Sequence, residues 1–385
     1  MNHKIILFIG YWSANDGLTS ATIIPHLKIL SELKSVSKII FCSIEREKNI
    51  EFNIDIFKVH HKPLYSSFDK IPIINKISDF VLFPQKLKKL CEIYNVSHII
   101  ARGAVAGALA YKTWVKTNIP FYVESYEPHA AYMLESGVWS SFDPRFIMQK
   151  RWEKKQNKYA TALMPVANNY KEELIHRGIN TNRIDVIPCC VPLDKFAFNE
   201  LDRDKVRKSL KIPLDATVGI YVGKYGGLYY DHESFHLFKE NMEQQNLFII
   251  LLTPQLEYVI EKLKETGIPQ DRCHVLSVKH SEVPKYLSAS NFAYALYRPA
   301  PSKKSLSPIK IGEYWANGLP VIVPDGIGDD SKIIRENNIG CIYSENEAVD
   351  FEKINSIDRE TIMKIALKYR SFNIVKKVYE RWYDQ

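Results

Sequence analysis

The sequence predicts an α/β fold made of two successive parallel-sheet domains, and three observations predict it. Apolar runs of strand length alternate with stretches of helical period from Lys4 to Ile187, and such alternation implies parallel strands covered by helices on both faces. The run Pro-Cys-Cys-Val-Pro-Leu-Asp-Lys-Phe, residues 188–196, then carries two prolines and no helical period, as a linker between domains does. A second alternation follows from Thr217 to Val323. The 385 residues are enough for two cores. The expected domains are 1–190 and 191–365, with a terminal helix over 366–385.

In the first half, a strand over Lys4 to Ile9 leads through a loop to a helix from Thr19 to about Leu33, with Ile23, Ile24, Leu27 and Leu30 on one face. The loop Gly10 to Gly17 fits neither Gly-x-Gly-x-x-Gly nor a P-loop. Gly17, just before the helix, suits a plain turn or a close approach of backbone to a phosphate or sugar. Further strands are expected at 38–43, 54–59, 98–101, 120–124, 163–166 and 183–187, and helices at 103–116, 144–158 and 168–176. In the second half, strands are expected at 217–222, 247–252, 274–278 and 291–296, with helices at 231–244, 255–266 and 281–287. One continuous helix is expected over Arg359 to Trp382, where Ile362, Ala366, Tyr369, Val375 and Tyr379 form a stripe.

The stretch from Ser305 to Ser331 concentrates the chemistry. Ser307 before Pro308 reads as a capped helix start, and the helix should end at Asn317, with Gly318 as its left-handed terminator and Pro320 barring resumption. Val321 to Val323 then read as a buried strand. Lys310 and Glu313 stand three apart on one helical face, just beyond an N-terminus whose free amides favour an anion. A diphosphate can sit on those amides and Lys310 while Glu313 accepts two hydroxyl hydrogens from a ribose. The same pair also fits an ordinary ion pair on a core helix.

Two other segments carry candidates. Gly223-Lys224-Tyr225-Gly226-Gly227 follows a strand and exposes backbone beside a mobile positive charge; it suits a diphosphate, or a glycine-rich turn with a solvated lysine. Glu127, His129 and Tyr132 cluster after the strand at 120–124, where hydroxyls and ring faces can meet a sugar; the alternative is a helix-capping His129 and a solvated Glu127. Arg102, ending another strand, fits an acceptor, a phosphate or a structural ion pair.

Composition narrows the rest. The chain is 46% hydrophobic and 25% charged, with 52 Lys and Arg against 44 Asp and Glu, a formal charge of +8; this is a globular composition with room for phosphate-rich ligands. There is no zinc-finger spacing, RNP motif or arginine-rich arm, so no nucleic acid partner is expected. Six cysteines without Cys-x-x-Cys spacing point to reduced thiols in the cytoplasm. The apolar run at Ile5 to Ile9 is too short for a signal-peptide core or a membrane span. Asp325, Asp329 and Asp330 lack the companion ligands of a metal site and are expected to line a cleft or cap the helix at Ser331. Phe80 to Leu90 mixes apolar and basic residues and suits either a core helix or the surface of an anionic membrane.

Glu313 with Gly318, Pro320 and Val321 onward resembles the nucleotide-binding segment of the GT-B glycosyltransferases, in particular the retaining family 4. The resemblance extends over essentially the whole chain and is stronger in the second half. It implies two Rossmann-like domains facing a central cleft, with the terminal helix crossing back to the N-terminal domain. It also implies a sugar moved from a nucleotide-diphosphate donor to a glycan or lipid-linked acceptor in polysaccharide or cell-envelope synthesis, at the inner face of a membrane. Glu313 would hold the ribose, Lys224, Lys310 and the amides near Pro308 and Ile309 the diphosphate, and Gly17 would border the donor. His129 and Glu127 would position the reacting sugar, without cofactor or metal. Family members often carry a further glutamate where Ser305 stands, so the sugar contact at that position differs here. Two other readings use the same fold: a nucleotide-sugar epimerase or hydrolase, and a non-catalytic partner of a polysaccharide-assembly complex.

Overall fold

The computed structural model describes residues 3–47, 52, 54–66, 72–344 and 348–384, with backbone alone over 72–77. Its contacts divide the chain into two units, Met1–Cys189 with Phe372–Gln385, and Cys190–Ser371.

Unit 1 contains strands β1 (Lys4–Gly10), β2 (Val36–Cys42), β3 (Ile44–Glu45), β4 (Val59–His61), β5 (Leu64–Tyr65), β6 (His98–Arg102), β7 (Phe121–Tyr126) and β8 (Ala162–Pro165). Its helices are α1 (Ile24–Glu32), α2 (Pro72–Tyr94), α3 (Ala104–Thr117), α4 (His129–Glu135), α5 (Pro144–Tyr159) and α6 (Asn168–His176). Six strands form a parallel sheet in the order β4-β2-β1-β6-β7-β8, while β3 and β5 pair separately. Leu7, Ile9, Ile40, Ile99, Val123 and Leu163 bury one face of that sheet against α2 and α3 through Phe83, Leu87 and Leu109. The strand order reverses between β1 and β6, so the loops at their C-terminal ends, after Gly10 and Arg102, part there and leave a crevice.

Unit 2 repeats the plan. Strands β9 (Thr217–Val222), β10 (Leu247–Leu252), β11 (Cys273–Leu276), β12 (Phe292–Tyr294), β13 (Val321–Pro324) and β14 (Gly340–Tyr343) form a parallel sheet in the order β11-β10-β9-β12-β13-β14. Helices α7 (Glu200–Ser209), α8 (His232–Gln244), α9 (Leu256–Glu265), α10 (Val283–Ser288), α11 (Ile309–Ala316), α12 (Asp330–Asn337), α13 (Phe351–Ser356) and α14 (Arg359–Arg370) surround it. The period-2 rule divides the strands between two cores. Val218, Ile220, Ile250 and Val321 pack on Ile311, Trp315 and Ile362, while Tyr221, Ile249, Leu251 and Ile322 pack on Phe235, Phe238 and Val259.

The expected strand and helix alternation is thus present in both halves, with three corrections. The strand expected at 54–59 is confined to Val59–His61. That expected at 183–187 is an extended segment with one bridge, Ile184 to Leu163. The helix expected over 359–382 is two helices, because Ser371 takes an extended backbone; the second, α15 (Phe372–Tyr383), belongs to unit 1. There Tyr379 and Tyr383 are buried, and the Tyr379 hydroxyl lies 2.6 Å from His26 Nδ1. The helix from Thr19 opens with a π-helical turn, Thr19–Ile23, ahead of Pro25, whose missing N–H removes one α-helical hydrogen bond. All six cysteines are free.

Candidate functional site

The switch point of unit 2 lies between β9 and β12, and both loops that part there carry candidates. After β9, Gly223 has φ +147°, a conformation side-chain-bearing residues rarely adopt. A Cβ built at Gly223 would stand 2.3 Å from Lys310 Nζ. The glycine loop and the lysine of α11 therefore meet. The loop is fixed by three contacts: the Val222 amide donates to the Tyr314 hydroxyl at 3.2 Å, the Tyr221 hydroxyl donates to the Lys224 carbonyl, and the Tyr225 amide donates to Gln255 Oε1 at 2.7 Å. The Lys224 side chain is left exposed.

Lys310 is half-buried and its ammonium is enclosed by aromatic faces, 4.0 Å from the Tyr229 ring centroid, 5.5 Å from Tyr297 and 5.6 Å from Tyr221. Removing an ammonium from water disfavours its charged form, which pushes the pKa down to about 7, with Glu313 pulling it back up. The lysine is thus poised to gain a proton when an anion arrives.

Glu313 is buried one turn along α11, and its Oε1 lies 2.8 Å from His280 Nε2. The hydrogen bond to Glu313 raises the His280 pKa although burial opposes it. His280 was missed in the sequence. The available signal was its place in the loop just past β11, at a C-terminal strand end.

Helix α11 begins at Ile309 with Pro308 at the cap position, a residue whose side chain makes no cap hydrogen bond. The cap position is Pro308 rather than Ser307, whose hydroxyl accepts from Arg370, which also pairs with Asp330 and lies over Trp315. Ser305 is buried at the end of a 3₁₀ turn, Pro301–Ser305. Gly318 has φ +77° and ends the helix as expected, with its amide on the Trp315 carbonyl and that of Leu319 on Tyr314. In the acidic run Asp325 pairs with Arg335 at 3.0 Å and Asp330 with Arg370, while Asp329 stands at the N-cap position of α12 without a side-chain hydrogen bond to the helix amides.

Unit 1 has its own concavity at its switch point. A cavity of about 380 Å³ is lined by Tyr11, Trp12, Phe80, Trp139 and Trp152, with Arg102, Glu127 and His129 among its polar residues. His129 opens α4 and its Nδ1 lies 3.4 Å from Glu127 Oε1, while Trp139 meets the imidazole edge-on at 5.6 Å between centroids. The structure brings His129 and Glu127 together as a pair. Arg102 shares the wall, but its Nη1 donates to Glu124 Oε2 at 3.2 Å and lies 3.3 Å from His26 Nδ1. Burial and Arg102 push the His26 pKa down to about 4, so this cluster is a neutral histidine beside an ion pair. Gly17 is exposed at the start of the first helix, and a Cβ there would meet nothing within 4 Å. Phe80, Phe83 and Leu87 of the expected amphipathic stretch are buried in the unit 1 core.

Among the described residues no cluster of three or more His, Cys, Asp or Glu could hold a metal ion.

Comparison with known proteins gives a fold. No family model matches the chain, and no curated protein matches it. Among solved structures, sucrose-phosphate synthase from Thermosynechococcus elongatus aligns over 100% of this chain and 99% of its own at TM-score 0.76 and 15% identity. Anabaena HepE in complex with UDP-glucose aligns over 100% of both chains at TM-score 0.72 and 14% identity. The lipopolysaccharide outer core galactosyltransferase WaaB aligns over 99% of this chain and 100% of its own at TM-score 0.63 and 14% identity. The fold, two Rossmann-like parallel-sheet domains, is that of the GT-B glycosyltransferases.

Gly223→Ala tests the glycine loop. The added methyl is strained at this φ and displaces the Lys310 ammonium, the movable end of a flexible chain, so the expected result is a folded protein destabilised by about 1 kcal/mol. Thermal melting reads the effect.

Proposed function

We propose that the protein is a glycosyltransferase that moves a hexose from a nucleoside diphosphate, UDP in the first instance, to a hydroxyl of a glycan or lipid-linked glycan, with retention at the anomeric carbon as in family 4. The observation that carries this reading is the convergence at one switch point of the Gly223 loop, the Lys310 ammonium and the Glu313–His280 pair around the N-terminus of α11. HepE in its UDP-glucose complex, similar in fold over its whole length, supports uridine as the first base to test.

In this account Glu313 accepts hydrogen bonds from the ribose hydroxyls, exchanging or sharing its contact with His280. Lys310, Lys224 and the amides at Ile309 hold the diphosphate. In the reaction the acceptor oxygen bonds to the anomeric carbon while the bond from that carbon to the phosphate oxygen breaks. The electron pair stays on the departing diphosphate, whose released oxygen takes the acceptor's hydroxyl proton and where a charged Lys310 and the helix N-terminus are worth most. The polar pair Glu127 and His129 is assigned to the hydroxyls of a reacting sugar, and Ser305 is assigned to the donor side, where it offers a hydroxyl in place of a carboxylate.

Glu313→Ala removes a charge-assisted contact of about 1.5 to 3 kcal/mol, so UDP should bind roughly ten- to a hundredfold more weakly by calorimetric titration. Unchanged affinity sinks the ribose assignment. Release of free sugar from UDP-glucose at full rate without an acceptor would favour a hydrolase or epimerase.

A further inference from the structure

The two charged side chains of α11 are partnered differently, although they share a helix face. Lys310 sets its ammonium against the Tyr229 ring, 4.0 Å from the centroid. Glu313 is paired instead with a residue from another element: its Oε1 lies 2.8 Å from His280 Nε2, and among the described residues no hydrogen bond reaches Oε2. An ionised carboxylate only accepts, so Nε2 of His280 carries the proton and donates.

This pair is not built as core stabilisation. A buried carboxylate kept for stability has its oxygens bonded inside the protein. Here one oxygen is engaged, and the partner faces water: the His280 side chain is 64% exposed, that of Glu313 7%. The imidazole is nonetheless held firmly. It opens a 3₁₀ turn, His280–Glu282, that runs into α10, and its ring packs on Phe196 with centroids 5.6 Å apart. Both supports are tied to the helix that carries Glu313. Asn317, buried at the end of α11, donates through Nδ2 to the Phe196 carbonyl at 3.0 Å and to Ser288 Oγ, at the end of α10, at 3.1 Å. One asparagine therefore keeps the ring and the carboxylate in register, independently of their own contact.

We propose that His280 is a positioning residue for the ribose: it holds Glu313 by Oε1, stays in place when the nucleotide binds, and so makes the site selective for ribose over 2′-deoxyribose. This rests on the donor reading given above. A carboxylate has about four acceptor positions, so the single bond from His280 leaves about three for the two ribose hydroxyls. A glutamate whose rotamer is fixed in advance also loses no side-chain freedom on binding. Selectivity follows from the same fixation. A ligand without the 2′-hydroxyl leaves part of a fixed, buried carboxylate unbonded, whereas an unheld glutamate would turn to water.

The test is calorimetric titration of the full chain with UDP and with 2′-deoxy-UDP. The wild type should prefer UDP by about ten- to a hundredfold. His280→Ala should bind UDP about tenfold more weakly and 2′-deoxy-UDP nearly as the wild type does, so the preference shrinks by the same factor. His280→Gln, whose amide N–H reaches close to the place of Nε2, should restore most of it. In the Glu313→Ala background, His280→Ala should change the preference no further, because the two residues act through one contact. A preference that His280→Ala leaves intact, with UDP still bound by the wild type, overturns this assignment alone. Equal weakening of both nucleotides also overturns it and makes His280 a structural support. Absence of UDP binding by the wild type overturns the donor reading and this assignment together.

Discussion

Replacing Lys310 by methionine is expected to lower donor turnover, measured as kcat/KM, by about a hundred- to a thousandfold while the protein stays folded. Methionine keeps the length and apolar contacts of the stem and removes only the ammonium that the tyrosine rings enclose. The effect should have a pH signature. With its pKa near 7 in the free protein, Lys310 is partly uncharged at neutral pH, and a bound diphosphate stabilises the charged form and raises that pKa. Binding therefore takes up a proton above about pH 7, and UDP affinity should fall as pH rises from about 7 to 9, by at most tenfold per unit. Folding runs the other way. Between about 7 and the ordinary lysine value of 10.5, the folded state holds fewer protons at Lys310 than the unfolded chain, so this group's contribution to stability grows with pH over that window. Lys310→Met should flatten both dependences. A variant that keeps the wild-type slope in UDP titrations shows that another group titrates.

Arg370→Ala is expected to be the most destabilising single change at this site, by about 3 to 5 kcal/mol, because it leaves Asp330 buried without its partner. Both members of the pair are 2% exposed. Arg370 also holds the Ser307 hydroxyl, so the pair ties the end of α14 to α12 and to the residue before α11. For a unit of this size the change is about 10 °C in melting temperature. The double replacement Arg370→Met with Asp330→Leu should recover much of the loss, since the destabilisation comes from an unpaired buried charge rather than from the absence of an ion pair. Melting of Arg370→Ala at the wild-type temperature contradicts this account of the loop.

These two residues also show what the sequence could and could not reveal. That Lys310 and Glu313 share a helix face was legible because a spacing of three on a helix fixes a shared face wherever the helix packs. The tyrosine enclosure was not legible: Tyr221, Tyr229 and Tyr297 come from segments brought together by strand order, and local periodicity carries no record of that. Ser307 before Pro308 looked like a cap, but Arg370, 63 residues away in sequence, takes its hydroxyl. The terminal helix shows the same limit in another form. Ile362 and Ala366 pack in the core of unit 2, whereas Tyr379 contacts His26 in unit 1. One amphipathic stripe thus serves two cores, and its period gives no sign of the break at Ser371. The two sheets were legible because strands buried on both faces read as continuous apolar runs between turn residues.

Calorimetric titration of UDP into the wild-type protein and the Glu313→Ala variant at pH 7 tests the central claim most directly. Saturable one-site binding to the wild type, weakened roughly ten- to a hundredfold in the variant, is the predicted result. No binding of UDP, GDP or ADP to the wild type, or equal binding to both proteins, would contradict the donor site at the switch point of unit 2.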